Sequence, residues 1–356
     1  MKRAILVFLL GLTVLVSQAQ QYEGPIKGLV DADTGTAIPD ARTLFTQILI
    51  GDIPKTITVG PSPAADFDNL EAAIVEAVKF SLGFANASAN RQILPFVIEI
   101  ENGVGYTLPA NFVIKGANAT IRAQNSGQVT ITSACDSTEN DMAIAFNSAS
   151  ISFDGVTLDA SDCTTGVSVT QSVFNVSNST ITAGAVALVA SDGTFSITDS
   201  IISSEGVDVP DTTGYGAILL LRKSHLEIVG NTTINGHTSG VMSSYGDVSI
   251  IFAPRNGETI TIRGSEAAIF LALNSGGGYP TAVIVPPNFG GTVVLESTEG
   301  FAIESTPTAR VTYRASRVTF NGAAMQSGNV NQPLNKLLIG GGFVSNVEGA
   351  QLSLLP

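Results

Sequence analysis

Tryptophan is absent from the 356 residues, and histidine and cysteine occur only twice each. Two histidines, His225 and His237, leave little room for imidazole acid-base chemistry or a histidine metal site. Missing tryptophan removes the strongest aromatic platform for a sugar ring, so tyrosines would have to take that role. Charge is also scarce. Asp, Glu, Lys and Arg make up 13% of the chain, against about 25% in an ordinary soluble domain. The 17 basic residues against 30 acidic ones give a net charge of −13. Those basic residues are scattered, so no basic face exists for a nucleic acid to use, and none is expected as a partner.

Long apolar runs are missing as well. The one at the amino terminus, residues 4–16, follows Met1-Lys2-Arg3 and precedes Ser17-Gln18-Ala19. A basic start, a short apolar stretch and a small-x-small site make residues 1–19 an expected signal peptide. The run falls short of the roughly 20 residues that a membrane span needs. The mature chain is therefore expected to carry no transmembrane span and to be exported, to the medium, the cell surface or the periplasm. Residues 20–54 show no clear period and are read as an amino-terminal arm.

What is abundant is a repeated phrase. Over residues 166–234 the pattern Gly-apolar-x-apolar, a polar gap, apolar-x-apolar, then Asx-Ser/Thr-x-Ile is written three times. Its ends are Asn178-Ser179-Thr180-Ile181, Asp199-Ser200-Ile201-Ile202 and Asn231-Thr232-Thr233-Ile234. Gly155-Val156-Thr157-Leu158 is an earlier end of the same phrase. A period this short suits a solenoid coil rather than separate domains. Within each copy apolar and polar residues alternate, as in Val173-Phe174-Asn175-Val176 and Thr194-Phe195-Ser196-Ile197. That is the period of a strand with one buried face. Gly155, Asn178, Asp199 and Asn231 tolerate a left-handed backbone, so they are expected to stack as one recurring turn.

Alternating strands and turns stacked at about 4.8 Å per coil describe an all-β, single-stranded right-handed parallel β-helix. At about 23 residues per coil from Phe96, roughly 11 coils make a rod near 50 Å long. The β-helix domain is expected over residues 55–356. Asp68 with Glu71 reads as an acidic capping box, and Leu70, Ala73, Ile74, Ala77 and Val78 share one helical face. A capping helix is therefore expected over about 68–82, shielding the first coil's open edge.

On these repeats the chain resembles the pectin-lyase-like superfamily of right-handed parallel β-helices over roughly residues 56–350. The Val59-Gly60 strand end, followed by Asp66-Phe67 and then Leu70, Ala73 and Ile74, resembles the start of pectin-methylesterase-like domains and of phage tail-spike β-helices. The resemblance implies fold more than activity. Polygalacturonase-like members carry Asn-Thr-Asp, an Asp-Asp pair, Gly-His-Gly and Arg-Ile-Lys. This chain has Gly236-His237-Thr238 and no adjacent aspartates. Neither the aspartate and arginine calcium site of pectate-lyase-like members nor the two Asp, Gln and Arg of pectin-methylesterase-like ones is matched.

The primary expectation is thus an exported, non-catalytic β-helix that binds or coats a cell surface, of adhesin or tail-spike character. Its partner would be a cell-surface or matrix polysaccharide. The alternatives are a polysaccharide lyase, hydrolase or esterase of this fold, and a phage tail spike or fibre receptor-binding protein, which implies a homotrimer. Arg222, Lys223 and His225 form the one compact basic group, close in sequence to an insert with Asp208 and Asp211. With Tyr215 and Tyr245 these are the candidate ligand-binding residues, two walls of a sugar or anion groove. The bland reading is a solvated turn that balances nearby carboxylates.

Cys135 follows Ile131 by four residues, and Cys163 follows Leu158 by five. In the repeat register Ile131 corresponds to Leu158, so the cysteines fall at nearly equivalent points on neighbouring coils and a Cys135–Cys163 disulfide is expected. Asp136, Glu139, Asp141, Asp159 and Asp162 would then gather beside it. They form a candidate calcium site of oxygen ligands, with solvated Asx-rich turns as the competing reading. No other cofactor is expected.

Overall fold

The computed structural model describes residues 56–87, 95–136, 141–206, 216–271, 280–305, 309–321, 343–346 and 351–354. The expected signal peptide and amino-terminal arm, Glu139 and the insert with Asp208, Asp211 and Tyr215 lie outside these residues.

Alternation decides the architecture. In Val173–Ser177 the side chains of Phe174 and Val176 are buried, while Val173, Asn175 and Ser177 face outward. Each strand pairs in parallel with its counterparts one coil before and one coil after, in register: Ile151, Phe174, Phe195 and Leu226 fall in one line. Repeating this around the rod produces three sheets, which hold twelve, nine and eight strands among the described residues. The result is an all-β right-handed parallel β-helix. The last strand, Gln351–Leu354, runs antiparallel to Phe343–Asn346. Eight coils carry all three strands among the described residues, set by the eight-stranded sheet. The expected count of about 11 extends over residues outside those described, and the coils that are described differ in length. Ser179 bonds to the next coil 21 residues on, whereas Ser200 does so 32 residues on.

The core is a set of columns along the rod. In the nine-stranded sheet Ile131, Leu158, Ile181, Ile202 and Ile234 stack with essentially no exposure. The middle coils add an aromatic cluster. Phe174 lies 5.0 Å from both Phe146 and Phe153 and 6.3 Å from Phe195, ring centre to ring centre. Aromatic contacts at these separations contribute about 0.5–1.5 kcal/mol each beyond area burial.

In the middle coils two corners are short, each built on one left-handed residue with a buried residue close behind it. Between the twelve- and nine-stranded sheets the left-handed residues are Gly155, Asn178, Asp199 and Gly230, with φ between 47° and 73°. Gly230 takes the place expected for Asn231. Val229 pairs with Thr198 and Thr233 with Ile201, so three residues fill this corner where Asp199 and Ser200 suffice below. The extra residue shifts the count by one. Behind this column Ser179, Ser200 and Thr232 form a buried ladder. Each hydroxyl donates to a carbonyl at the end of its own strand. Ser179 and Ser200 accept from the amides of Val156 and Ser179 on the preceding coil, at 3.0 and 3.2 Å. Amides that the turn would strand in the interior are thereby satisfied.

A helix over Leu70–Ala87 closes the amino-terminal end. Its N-cap is Asn69, whose Oδ1 accepts from the Ala72 amide at 3.0 Å. The cap therefore falls one residue after the expected Asp68, and the helix runs five residues beyond Leu82. Leu70, Ala73, Ile74 and Ala77 are buried, and with Ile98, Ile114 and Ile121 the helix encloses only a water-sized void of about 10 Å³. No helix among the described residues is long and apolar enough to cross a membrane.

Cys135 and Cys163 are joined in a disulfide with Cα atoms 5.2 Å apart, closing a loop with a sequence separation of 28. Its register partners are as the repeat implies, with Ile131 opposite Leu158.

Outward residues differ between sheets. The eight-stranded sheet presents Val189, Leu219, Met242 and Phe270 in one line, ending at Glu304. Burial pushes the Glu304 carboxyl above the usual carboxylate range, and the nearby Glu266 carboxylate adds to the rise.

Three outcomes follow from this packing. Ile74→Asp places a charge under the cap and should cost several kcal/mol, read as a lowered Tm. Removing both cysteines as alanines should cost about 3.6 kcal/mol in denaturant unfolding, the loop-closure entropy of the bridge. Glu304 holds its proton more tightly folded than unfolded, so its contribution is fully present below the ordinary carboxylate pKa. That contribution is lost as pH rises through the raised value. Glu304→Gln should flatten this part of the Tm profile and raise Tm at neutral pH.

Candidate functional site

The corner between the twelve- and nine-stranded sheets varies in length along the rod, from the single residue Gly155 to the seven residues 285–291. Between Asn118–Ala123 and Val129–Ala134 the chain spends five residues, 124–128, with Asn125 left-handed at φ 52°. This bulge stands above the corner and is wedged at Gly127. A Cβ built on Gly127 would meet the Asn102 side chain at 2.4 Å, and one on Gly155 would meet the Gly127 carbonyl at 2.6 Å. Gly155 also has φ +68°, so the position excludes other residues twice over.

Beside the bulge the outward side chains of consecutive strands stack in register. Glu99 lies opposite Arg122, Arg122 opposite Asp154, and Asp154 opposite Ser177. Arg122 is ion-paired with Glu99. Asp154 Oδ1 accepts from Ser177 Oγ at 3.1 Å and from Asn178 Nδ2 at 2.9 Å. Bulge and column enclose a cleft of about 590 Å³ lined by Glu99, Arg122, Asn125, Gln128, Asp154 and Asn178, with Ala123, Gly127 and Gly155 at its floor and rim.

Two carboxylates, three amides and a guanidinium converge here, offering donors and acceptors side by side. The lining contains no serine, cysteine, histidine or tyrosine, so any nucleophilic or acid-base role here would fall to the two carboxylates, Glu99 and Asp154. Such a surface suits a hydroxyl-rich ligand held by hydrogen bonds.

The residues singled out from sequence fall elsewhere. Arg222 is left-handed at φ 57°, in the corner between the eight- and twelve-stranded sheets. Its guanidinium reaches Asp192, in the same corner one coil earlier, at 3.5 Å, with 65% of the side chain exposed. An exposed pair of this kind contributes little. Lys223 is exposed, and His225 opens the strand His225–Val229. The insert with Asp208, Asp211 and Tyr215 is outside the described residues, but its ends Gly206 and Gly216 are not. They lie at the start of Gly216–Leu221, and Arg222 lies at its end, about 20 Å away along six strand residues. The backbone of Tyr245 pairs with Leu221 across a bulge.

Of the candidate calcium ligands, Asp141 accepts from Asn111 Nδ2 at 2.7 Å. Asp159 accepts from the amide and hydroxyl of Ser161, at 3.2 and 2.8 Å. Asp136 and Asp162 occupy the turns beside the disulfide, and Glu139 is outside the described residues. Among the described residues no three His, Cys, Asp or Glu side chains come close enough to share an ion.

Sequence reasoning passed over the cleft because its column is separated by 23 residues from Glu99 to Arg122 and 32 from Arg122 to Asp154. A signal was present. Each of the three follows directly on a core position, Ile98, Ile121 and Phe153, and those core residues form one column.

No family model and no curated protein matches the chain. Three solved structures are similar in outline. A Geobacillus virus E2 protein, ORF18, is 13% identical, with a TM-score of 0.47 over 94% of this chain and 74% of that one. The pectin methylesterase of Aspergillus niger is 10% identical, with a TM-score of 0.35 over 80% and 93%. Escherichia coli YbhC is 12% identical, with a TM-score of 0.34 over 93% and 92%. The fold is carried by the three parallel sheets themselves.

Gly155→Val should strain the left-handed corner and push the bulge off its seat. The expected result is a loss of about 1–3 kcal/mol in denaturant unfolding, with faster amide exchange over residues 124–128.

Proposed function

We propose that this protein is an exported, non-catalytic β-helix that binds polysaccharide at a cell surface through the cleft at Glu99, Arg122, Asn125, Gln128, Asp154 and Asn178. The observation that carries this reading is the cleft's make-up. It is concave and rich in hydrogen-bonding groups, yet both carboxylates are already committed. Glu99 is held by Arg122, and Asp154 by Ser177 and Asn178. Carboxylates held this way are positioned to accept from sugar hydroxyls at little further ordering cost.

The amino-terminal pattern of Met1-Lys2-Arg3, the apolar run and Ala19 supports export. A rigid rod then serves to present the cleft to its ligand. A hydrolase, lyase or esterase is the competing class.

A glycan array followed by calorimetry separates the two. Binding by the mature protein should weaken about tenfold or more in Asp154→Ala and in Arg122→Ala, with no new reducing ends, unsaturated products or released ester groups. Product release that Asp154→Ala abolishes would make the protein an enzyme, and binding left intact by both variants would move the site elsewhere.

A further inference from the structure

The column that begins in the cleft does not stop there. Glu99, Arg122, Asp154, Ser177 and Thr198 stand opposite one another on five consecutive strands of the twelve-stranded sheet. Every one is outward-facing and polar. Both ends are closed. Ahead of Glu99 comes Thr58, whose amide and hydroxyl are both taken by Asp66 Oδ2 at 2.9 Å. After Thr198 the next residue in line is Val229, which offers no hydrogen bond.

Parallel, in-register pairing sets the spacing. Each step is one inter-strand distance, about 4.8 Å, so the column is a straight row of polar side chains about 19 Å long. A 1,4-linked pyranose chain advances by nearly the same distance per sugar. A ligand lying along the rod axis therefore meets one polar side chain per ring, which a ligand lying across the strands would not. Charge restricts the class further. The one cation in the row, Arg122, is paired with Glu99, and Asp154 remains in a chain whose net charge is −13. A polyuronate or sulfated chain would be repelled from such a row.

From these observations we infer that the protein recognises the interior of an extended, uncharged 1,4-linked glycan, about four to five sugars of it, laid parallel to the rod from Glu99 to Thr198. This rests on the polysaccharide-binding reading of the cleft and adds the orientation, length and charge class of its ligand. Chain ends are not needed for binding, so internal segments of long polymers are ligands in their own right.

The test is calorimetry on the mature protein with cello- and chito-oligosaccharides from dimer to octamer, alongside oligogalacturonates of the same lengths. Affinity for a neutral series should rise by about tenfold or more between the dimer and the pentamer and then level off, while the galacturonates stay weak at every length. Thr198→Arg, which plugs the far end of the row, should abolish the gain from trimer to pentamer. Affinity already maximal at the dimer, or a Thr198→Arg protein with an unaltered length profile, would overturn the row while leaving the cleft as a binding site. Tighter binding of the galacturonates would overturn the charge class. If no oligosaccharide of either kind binds at any length, the polysaccharide reading of the cleft falls, and the row with it.

Discussion

Everything in this molecule depends on the pairing of each coil with the one above it. A parallel strand in a solenoid has no partner within its own coil, so its amides and carbonyls are satisfied only if the neighbouring coils present theirs in register. Register in turn fixes the core, because a slip of one residue would turn every buried isoleucine and phenylalanine outward. The chain meets this condition at its corners. A left-handed residue reverses direction in the least space, and Ser179, Ser200 and Thr232 behind it collect the amides that the reversal would leave unpaired.

The same condition explains how a chain with so little charge still builds a polar site. Stacking gathers residues that are far apart in sequence, so a few outward positions in a few strands suffice. Glu99, Arg122 and Asp154 come together because Ile98, Ile121 and Phe153 are held in one buried column. The bulge at residues 124–128 then turns an open face into a cleft. It is tolerated because a corner, unlike a strand, can lengthen without disturbing the ladder, which needs only that the next strand begin in the right place.

Which parts were legible in the sequence follows from this division. Strand alternation and the Asn178 and Asp199 corners are local features, written within a few residues, and they give the fold directly. The helix is equally local, yet Asp68 and Asn69 are adjacent and both able to cap, so only the geometry distinguishes them. What depends on counting between coils was harder to see. One added residue puts Gly230 rather than Asn231 in the left-handed column. The basic group at Arg222 is conspicuous because its members are neighbours in sequence, but the corner points it at Asp192 and sets it a strand's length from the ends of the insert. The cleft is inconspicuous for the opposite reason, since its members are neighbours only in space.

The account's central claim is that coil register, across unequal coils, brings these outward residues into line. It is tested most directly by a pulsed electron-spin distance between labels on outward residues of the twelve-stranded sheet. Thr120 and Glu227 lie four strands apart through Ser152, Asn175 and Ser196. Their Cα atoms should therefore be separated by about 19 Å along the rod. A distribution centred there, after allowance for the label arms, is the predicted result; a separation shorter or longer by one strand spacing, or a broad spread, would contradict the register and everything built on it.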